Sequence, residues 1–166
     1  GCTEEEANFL NGRSLMTLAS GISHGYGCVL FPEGTSHNNA YMLRFRTGPM
    51  RTVLAASALA KASDKELPVL IPMGLHFRTR EYFRTDVWVE YGTPIQVESD
   101  DVPQNLVDAV SSGTWSEPPA ESVFKLRDKL RTDLVPLSPN ANSWEEYRGL
   151  MLLGHVKGRM EGKIPT

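Results

Sequence analysis

One stretch of the chain organises the predicted fold: Gly27-Cys28-Val29-Leu30-Phe31-Pro32-Glu33-Gly34-Thr35-Ser36-His37. A short apolar run from Cys28 to Phe31 ends at a proline, and such a run is typical of a buried parallel strand. Because Pro32 has no N–H to donate, we expect strand pairing to end there. The polar residues that follow would then lie beyond the carboxyl end of a strand, where open α/β sheets usually bind ligands.

The turn after this strand suits an oxyanion better than a metal. Gly34 lets a ligand approach the backbone closely, and Thr35, Ser36 and His37 supply hydrogen-bond donors. The alternative is an ordinary strand-to-loop turn, and the spacing alone does not decide between the two.

Length, composition and charge limit the kinds of protein that this chain can be. The chain has 166 residues, which fits one domain with a sizeable core, and 40% hydrophobic with 22% charged residues is ordinary for a globular protein. A net charge of −3 gives no reason to expect nucleic acid as a partner. No apolar run approaches the roughly 18 residues that a transmembrane helix needs, and the start shows no signal-peptide pattern.

The two cysteines bear on the redox compartment, and the first residue bears on whether the chain is a fragment. Cys2 and Cys28 form neither a disulfide framework nor a metal set, so a reducing compartment is the simpler expectation. Cys28 lies in the apolar run and is predicted to be a packed thiol. The chain begins with Gly1 rather than Met, which suggests a fragment or a processed product.

Two helices and three strands are predicted in the first hundred residues. Thr3-Glu4-Glu5-Glu6 has the spacing of a capping box and predicts a helix from about Glu4 to Ser23. Thr47-Gly48-Pro49 opens a second helix, because proline is favoured near the first helical position. The alanine-rich run from Val53 to Ala62 is expected to lie close against one face of a sheet.

One predicted strand, over 28–31, precedes this helix. The others are predicted after it, over 68–77 and 87–91, with a short continuation over 95–97. Strand, helix and strand with short joins favour a parallel unit with a right-handed crossover.

Beyond residue 100 the pattern becomes helical. A short helix follows Pro103, and a second carries an apolar stripe from Val123 to Leu134. The last helix is predicted from about Ser143 to Met160, and its apolar side would comprise Trp144, Tyr147, Met151 and Val156. The predicted fold class is α/β, with a mixed, largely parallel sheet flanked by helices. Residues 1–99 would form the α/β domain, and residues 100–166 a helical extension packed on it.

Two motifs give the chain a family resemblance. Phe31-Pro32-Glu33-Gly34-Thr35 resembles the phosphate-site motif of the glycerolipid acyltransferases. Ser36-His37 replaces the more usual Arg-Ser and is similar to a subset of glycerol-3-phosphate and dihydroxyacetone-phosphate acyltransferases. Val69-Leu70-Ile71-Pro72-Met73-Gly74-Leu75 resembles the later apolar-proline motif of the family. The two motifs occur in the expected order, and the resemblance covers about residues 5–97.

The resemblance implies a reaction and its partners. A fatty acyl group would move from acyl-coenzyme A or acyl-carrier protein to a hydroxyl of glycerol-3-phosphate in phospholipid biosynthesis. No metal or bound cofactor is implied, and the protein would work on the cytoplasmic side of a membrane, peripherally or through segments outside this chain. The alternatives are a lysophosphatidic acid acyltransferase and a non-catalytic phosphate- or lipid-binding fragment. An unrelated α/β hydrolase is a further rival, although the chain has no Gly-x-Ser-x-Gly elbow.

The resemblance also implies substrate-binding residues. They are Glu33, Gly34, Thr35, Ser36 and Arg46, with His37, Arg44 and Pro72 as further candidates. Because a carboxylate repels phosphate, Glu33 is expected to accept hydrogen bonds from loop N–H groups or from the glycerol hydroxyls. A basic residue often precedes the Thr-Gly that opens the next helix in this family, and Arg46 matches it.

Alternation would place Arg44 on the same side as Arg46 if this segment is extended. A guanidinium grips phosphate through paired hydrogen bonds. The alternative for both residues is a pair of solvated arginines. Pro72 would shape the site near the acyl donor, or it would interrupt a strand for structural reasons.

The catalytic signature of the family, His-x-x-x-x-Asp, is not found in this chain. His24, His37 and His155 have no acid five residues later, and the pair His76 and Glu81 lies in the wrong motif. No catalytic residue is therefore assigned, and His37 remains a candidate substitute base. We expect the isolated chain to lack acyltransferase activity.

A basic and aromatic loop lies between the second and third strands. Its residues are Arg78, Arg80, Tyr82, Phe83 and Arg84. Such a loop suits an anionic membrane surface or the phosphates of coenzyme A, and the alternative is a solvated loop.

Overall fold

A computed structural model of the chain describes residues 3–77 and 82–163. Most of the described chain is helical, and its strands are short. The α-helices are α1 (Glu4–Ser23), α2 (Gly48–Ala62), α3 (Gln104–Ser111), α4 (Ala120–Leu134) and α5 (Trp144–Met160), with 3₁₀ turns at Ser99–Asp101 and Val135–Leu137. The strands are β1 (Val69–Leu70), β2 (Met73–Phe77), β3 (Val87–Tyr91) and β4 (Ile95–Gln96).

Helix α1 begins as the sequence predicts. The N–H of Glu6 donates to Oγ1 of Thr3 over 3.3 Å, and the N–H of Thr3 donates to Oε2 of Glu6 over 2.8 Å. This reciprocal pair is the predicted capping box, and it satisfies two backbone donors that the first helical turn leaves without partners. The helix ends at Ser23, and Gly25 follows with a φ of 91°, which suits glycine.

Helix α2 is the centre of the core. Nine of its residues are buried, among them Met50, Leu54 and a row of alanines. Its two buried hydroxyls, those of Thr52 and Ser57, donate to carbonyls one turn earlier and so carry no unpaired polar atom into the core. The expectation that this alanine-rich helix lies on a sheet is wrong: it packs chiefly against α1 and α3. Small side chains allow close approach to a helix as readily as to a sheet.

The described strands form two antiparallel pairs, not the predicted parallel sheet. Strand β1 pairs with β4, and β2 pairs with β3 from Met73 opposite Tyr91 to Phe77 opposite Val87. The connection from β2 to β3 is shorter than the dozen or so residues that a parallel crossover needs, so the chain can only return antiparallel. The coarser prediction, a mixed α/β fold, agrees with the structure.

The predicted first strand, residues 28–31, is not a strand. Val29 and Phe31 remain 65% and 69% exposed, and Cys28 is an exposed free thiol rather than a packed one. An apolar run is buried only where a neighbouring element covers it, and no described element covers this one. The local turn forms all the same: the N–H of Gly34 donates to the carbonyl of Phe31 over 3.1 Å.

The carboxy-terminal helices differ in how they pack. Side chains of α3 and α4, such as Val110 and Leu130, join the α2 core, and the boundary predicted at residue 99 stays a prediction. Helix α5 fully buries none of its residues; on its predicted apolar side Met151 and Val156 are exposed, and Trp144 and Tyr147 are half-buried. A hydrogen bond anchors its first residue: Trp144 Nε1 donates to the carbonyl of Asn38 over 2.7 Å. Of the helices that the structure describes, none combines the length and apolar character that a bilayer crossing demands.

Candidate functional site

The Pro32–Gly34 bend is fixed to the segment that precedes α2. Gly34 adopts a φ of +66°, in the left-handed region that favours glycine. The N–H of Arg46 donates to the carbonyl of Pro32 over 2.7 Å. One short backbone bond thus brings together two sites that the sequence analysis proposed separately, namely the Glu33-Gly34-Thr35 turn and Arg46.

Glu33 organises this bend from within. Its Oε2 atom accepts the backbone N–H of Leu43 over 2.5 Å and faces Nε2 of His37 at 2.8 Å. The side chain is 23% exposed, so these bonds lie partly out of water. Accepting from a loop N–H is the first of the two roles that the sequence predicts for Glu33. Both bonds use the same oxygen, and within residues 3–77 and 82–163 Oε1 makes no hydrogen bond.

His37 is held in one tautomer by its two neighbours. The backbone N–H of Asn39 donates to Nδ1 over 3.1 Å, so that nitrogen carries no proton and Nε2 is the donor to Glu33. A general base needs a free nitrogen lone pair near the hydroxyl that it deprotonates. In this arrangement neither ring nitrogen offers one, and the geometry favours a positioning role for His37 over that of a substitute base.

Arg46 lies directly on the glycine of the bend. A β-carbon placed on Gly34 would stand 3.0 Å from Cγ and 3.7 Å from Nε of Arg46. The arginine is nevertheless exposed, so its charged end reaches solvent beside the bend. Thr35 and Ser36 are exposed on the same turn, and the 3.5 Å contact from Thr35 Oγ1 to the carbonyl of Ser36 is too long to hold that hydroxyl firmly.

The remaining candidates lie apart from this arrangement or shape it indirectly. Arg44 and Arg46 flank the buried Phe45 and are both exposed, as alternation predicts. Pro72 is fully buried, and its carbonyl accepts the N–H of Gly92 over 2.8 Å. Its side chain therefore packs within the fold, and its role in shaping the site near the acyl donor stays a prediction.

Sequence reasoning missed one residue that supports the bend. Arg131 of α4 donates from Nη1 to the carbonyl of Leu43 over 2.8 Å, while the N–H of Leu43 serves Glu33. The two residues are 88 positions apart in the chain. Arg131 lies outside the motifs that indicate the site, and no local pattern signals a contact of this length.

Part of the basic and aromatic loop lies outside the described residues. Arg78 and Arg80 belong to that part, so their proposed roles stay predictions, and Glu81, whose pairing with His76 was set aside, lies there too. In the described part, Phe83 is 89% exposed, and the guanidinium of Arg84 lies 5.3 Å from the centre of its ring.

Comparison with known proteins supports the class that the motifs indicate. The chain is 32% identical over 131 residues to glycerol-3-phosphate O-acyltransferase 2 of Saccharomyces cerevisiae, an alignment that covers 78% of this chain and 16% of the relative. It is 25% identical over 107 residues to glycerol-3-phosphate O-acyltransferase 1 of the same yeast, covering 57% of this chain and 14% of that relative. No family model matches the chain, and no solved structure does.

These matches confirm a relationship between this chain and the glycerolipid acyltransferases. The chain spans about one sixth of the length of the curated relatives it matches.

Proposed function

We propose that this chain supplies the acceptor-binding part of a glycerol-3-phosphate O-acyltransferase that acts in phospholipid biosynthesis. The acyl donor would be acyl-coenzyme A or acyl-carrier protein. The observation that carries the proposal is the placement of Arg46 on Gly34, beside a turn whose conformation Glu33 fixes. The names of the two yeast relatives support the same substrate.

In this proposal the phosphate of the acceptor binds between the bend and Arg46. A guanidinium forms paired, charge-assisted hydrogen bonds with phosphate oxygens, and the exposed hydroxyls of Thr35 and Ser36 add donors. The missing side chain at Gly34 leaves room for the Arg46 side chain to lie against the bend. Because Ser36 stands where the family usually carries an arginine, Arg46 is the guanidinium that we propose holds the phosphate.

The glycerol hydroxyls would meet the carboxylate of Glu33. Its Oε2 is occupied by Leu43 and His37, and Oε1 is left to accept a hydroxyl proton in a hydrogen bond. A base would take the proton of the reacting hydroxyl, and the oxygen would attack the thioester carbonyl to give an oxyanion that needs donors. Collapse of this intermediate would break the carbon–sulfur bond and release the donor as a thiol, which takes the proton back from the base. We assign the base to the histidine of the family signature and to no residue of this chain. The isolated chain should therefore not catalyse acyl transfer.

The lipid nature of the proposed product supports a reaction at a membrane surface. We propose that the enzyme works on the cytoplasmic side of a membrane, held peripherally or through segments outside this chain. The exposed ring of Phe83 next to Arg84 supports a surface contact, because aromatic and basic side chains together favour the interface of a bilayer.

Binding measurements test the proposal. Glycerol-3-phosphate is titrated into the 166-residue chain and into Arg46→Gln, with Arg159→Gln as a control that removes the same charge from the exposed face of α5. Loss of one charge-assisted contact should raise the dissociation constant about tenfold in Arg46→Gln, and the control should bind as the wild type does. Equal affinity of all three proteins would contradict the proposal.

Two alternatives have their own readouts. Lysophosphatidic acid in place of glycerol-3-phosphate tests the acceptor, and tighter binding of the lysolipid would make it the substrate. A gene sequence without His-x-x-x-x-Asp upstream of this chain would favour a non-catalytic phosphate- or lipid-binding module.

A further inference from the structure

A second group of arginines lines an open cavity on the surface between α4 and the segment that precedes α2. The cavity has a volume of about 400 Å³ and is lined by Arg44, Phe45, Arg127, Asp128 and Arg131. We call it the arginine cavity. Arg127 and Arg131 are four residues apart on α4 and so share one helix face, and Arg44 reaches the same space from the other segment.

The charges in the arginine cavity are strongly unequal. Three guanidiniums line it with a single carboxylate, that of Asp128. The carboxylate is engaged by its neighbour, because Arg127 Nε donates to Asp128 Oδ1 over 2.8 Å. Within residues 3–77 and 82–163, Arg44 has no ion-pair partner. The cavity therefore carries an excess of positive charge that nothing in the described chain neutralises.

Two of the three arginines are held in place by aromatic rings. The guanidinium of Arg127 lies 4.7 Å from the ring centre of Phe124, and that of Arg131 lies 5.5 Å from the ring centre of Phe45. Arg131 is fixed further by its bond to the carbonyl of Leu43. A guanidinium that is already oriented loses less conformational entropy when it binds a ligand.

The pKa of Asp128 reflects the positive charges of the arginine cavity. The hydrogen bond from Arg127 lowers it, and the charges of Arg127 and Arg131 lower it further. Asp128 thus remains ionised and occupies part of Arg127, while most N–H groups of the three guanidiniums remain for a ligand.

We propose that the arginine cavity is a second anion site, distinct from the Gly34–Arg46 bend, and that it binds a phosphate or diphosphate group. Planar guanidiniums match the oxygens of such a group through paired hydrogen bonds. The volume suits a phosphate-bearing group and its immediate substituent. The phosphate belongs either to a soluble nucleotide-like ligand or to the headgroup of a phospholipid. The proposal concerns phosphate binding alone and does not rest on the acyltransferase function.

The test uses pyrophosphate as a probe and the side-chain Nε–H signals of the arginines in ¹⁵N NMR. Saturable shifts of Arg127 and Arg131 are expected, and they should persist in Arg46→Gln, which removes the guanidinium of the bend only. Arg44→Gln should raise the dissociation constant about three- to tenfold, the range of one partly solvated charged contact. Arg44 is exposed and unpaired with described residues, so this variant should fold as the wild type does.

One further variant and a control sharpen the result. Asp128→Asn removes the only carboxylate of the cavity and should tighten pyrophosphate binding about threefold or more. Arg159→Gln, on the exposed face of α5, carries the same charge change as Arg44→Gln and should leave binding unchanged. Equal weakening by Arg44→Gln and Arg159→Gln would reduce the effect to net charge and overturn the proposal. Weaker binding in Asp128→Asn would also overturn it.

Two more probes identify the source of the phosphate. Adenosine 3′,5′-bisphosphate represents the soluble ligand, and vesicles of phosphatidylcholine with phosphatidic acid, compared with phosphatidylcholine alone, represent the headgroup. A probe that shifts the Arg127 and Arg131 signals, and loses affinity in Arg44→Gln, supports the site and names its source. If pyrophosphate and both of these probes leave the two signals unmoved, the proposal is wrong.

Discussion

The side chain of Arg46 lies on the backbone of Gly34, so close that a β-carbon on the glycine would stand 3.0 Å from Cγ of the arginine. A backbone bond from Arg46 to Pro32 holds the same two segments together. Because Gly34 has no side chain, Arg46 can lie against it, and the backbone can adopt the left-handed conformation of the turn. We propose that this pair receives the acceptor phosphate.

Replacing the glycine should therefore have two effects. In Gly34→Ala, a left-handed φ should cost about 1 to 2 kcal/mol of the free energy of unfolding. The new methyl group should also displace Arg46 and weaken the binding of glycerol-3-phosphate. Urea unfolding and ligand titration measure the two effects. Gly149→Ala, where a β-carbon meets nothing within 4 Å, is the control and should not weaken ligand binding. A Gly34→Ala protein with wild-type stability and affinity would contradict this account.

The carboxylate of Glu33 should protect one amide from exchange with solvent. Glu33→Ala removes the acceptor of the Leu43 N–H and should destabilise the protein by about 1 to 3 kcal/mol, since a partly buried donor loses its partner. Hydrogen exchange followed by NMR should show the Leu43 amide exchanging faster than in the wild type. Glu5→Ala, at an exposed position in the first turn of α1, should leave that amide unchanged. If the exchange rate of the Leu43 amide is the same in all three proteins, Glu33 does not hold the bend.

The acidity of Asp128 should depend on its neighbour. The hydrogen bond from Arg127 lowers the pKa of Asp128, and Arg127→Gln should raise it toward the ordinary aspartate value. Because the folded-state pKa is the lower one, the associated stability is present above the unfolded-state pKa and is lost as the pH falls through the folded-state value. Titration of the Asp128 carboxyl carbon by ¹³C NMR measures this shift. An identical titration curve in wild type and Arg127→Gln would disprove the pairing.

The burial of α2 predicts an unequal response to leucine truncation. Leu54 is 1% exposed, and Leu54→Ala should lower the free energy of unfolding by about 2 to 5 kcal/mol through the lost burial and the cavity left behind. Leu150 is 55% exposed on α5, and Leu150→Ala should change it by less than about 0.5 kcal/mol. Chemical denaturation compares the two variants. Similar losses in both would show that α5 is packed more tightly, or α2 less, than the structure has them.

Local structure could be predicted from the sequence where the deciding interactions lie within one short segment. The capping box of Thr3 and Glu6 and the start of α2 at Gly48-Pro49 both formed as predicted. The strand over 28–31 did not, because burial of an apolar run depends on a covering element that its own sequence does not specify. The parallel sheet failed for a different reason: the connection from β2 to β3 is too short for a parallel crossover, and the prediction did not take that length into account.

The candidate site divides in the same way. The motif Phe31 to Thr35 led to the bend, and the position of Arg46 before a helix start led to its partner. The hydrogen bond from Arg131 to Leu43 could not be predicted, because the two residues are far apart in the sequence and meet only in the folded protein. The arrangement of Glu33, His37 and Asn39, by contrast, spans few residues, but the tautomer of His37 needed coordinates.

One measurement tests the central claim most directly: a titration of the chain with glycerol-3-phosphate, followed through the Nε–H signal of Arg46 and the amide of Gly34. The account predicts that both signals shift together and saturate at the same ligand concentration. Saturable binding that leaves both signals in place would put the acceptor elsewhere and contradict the account.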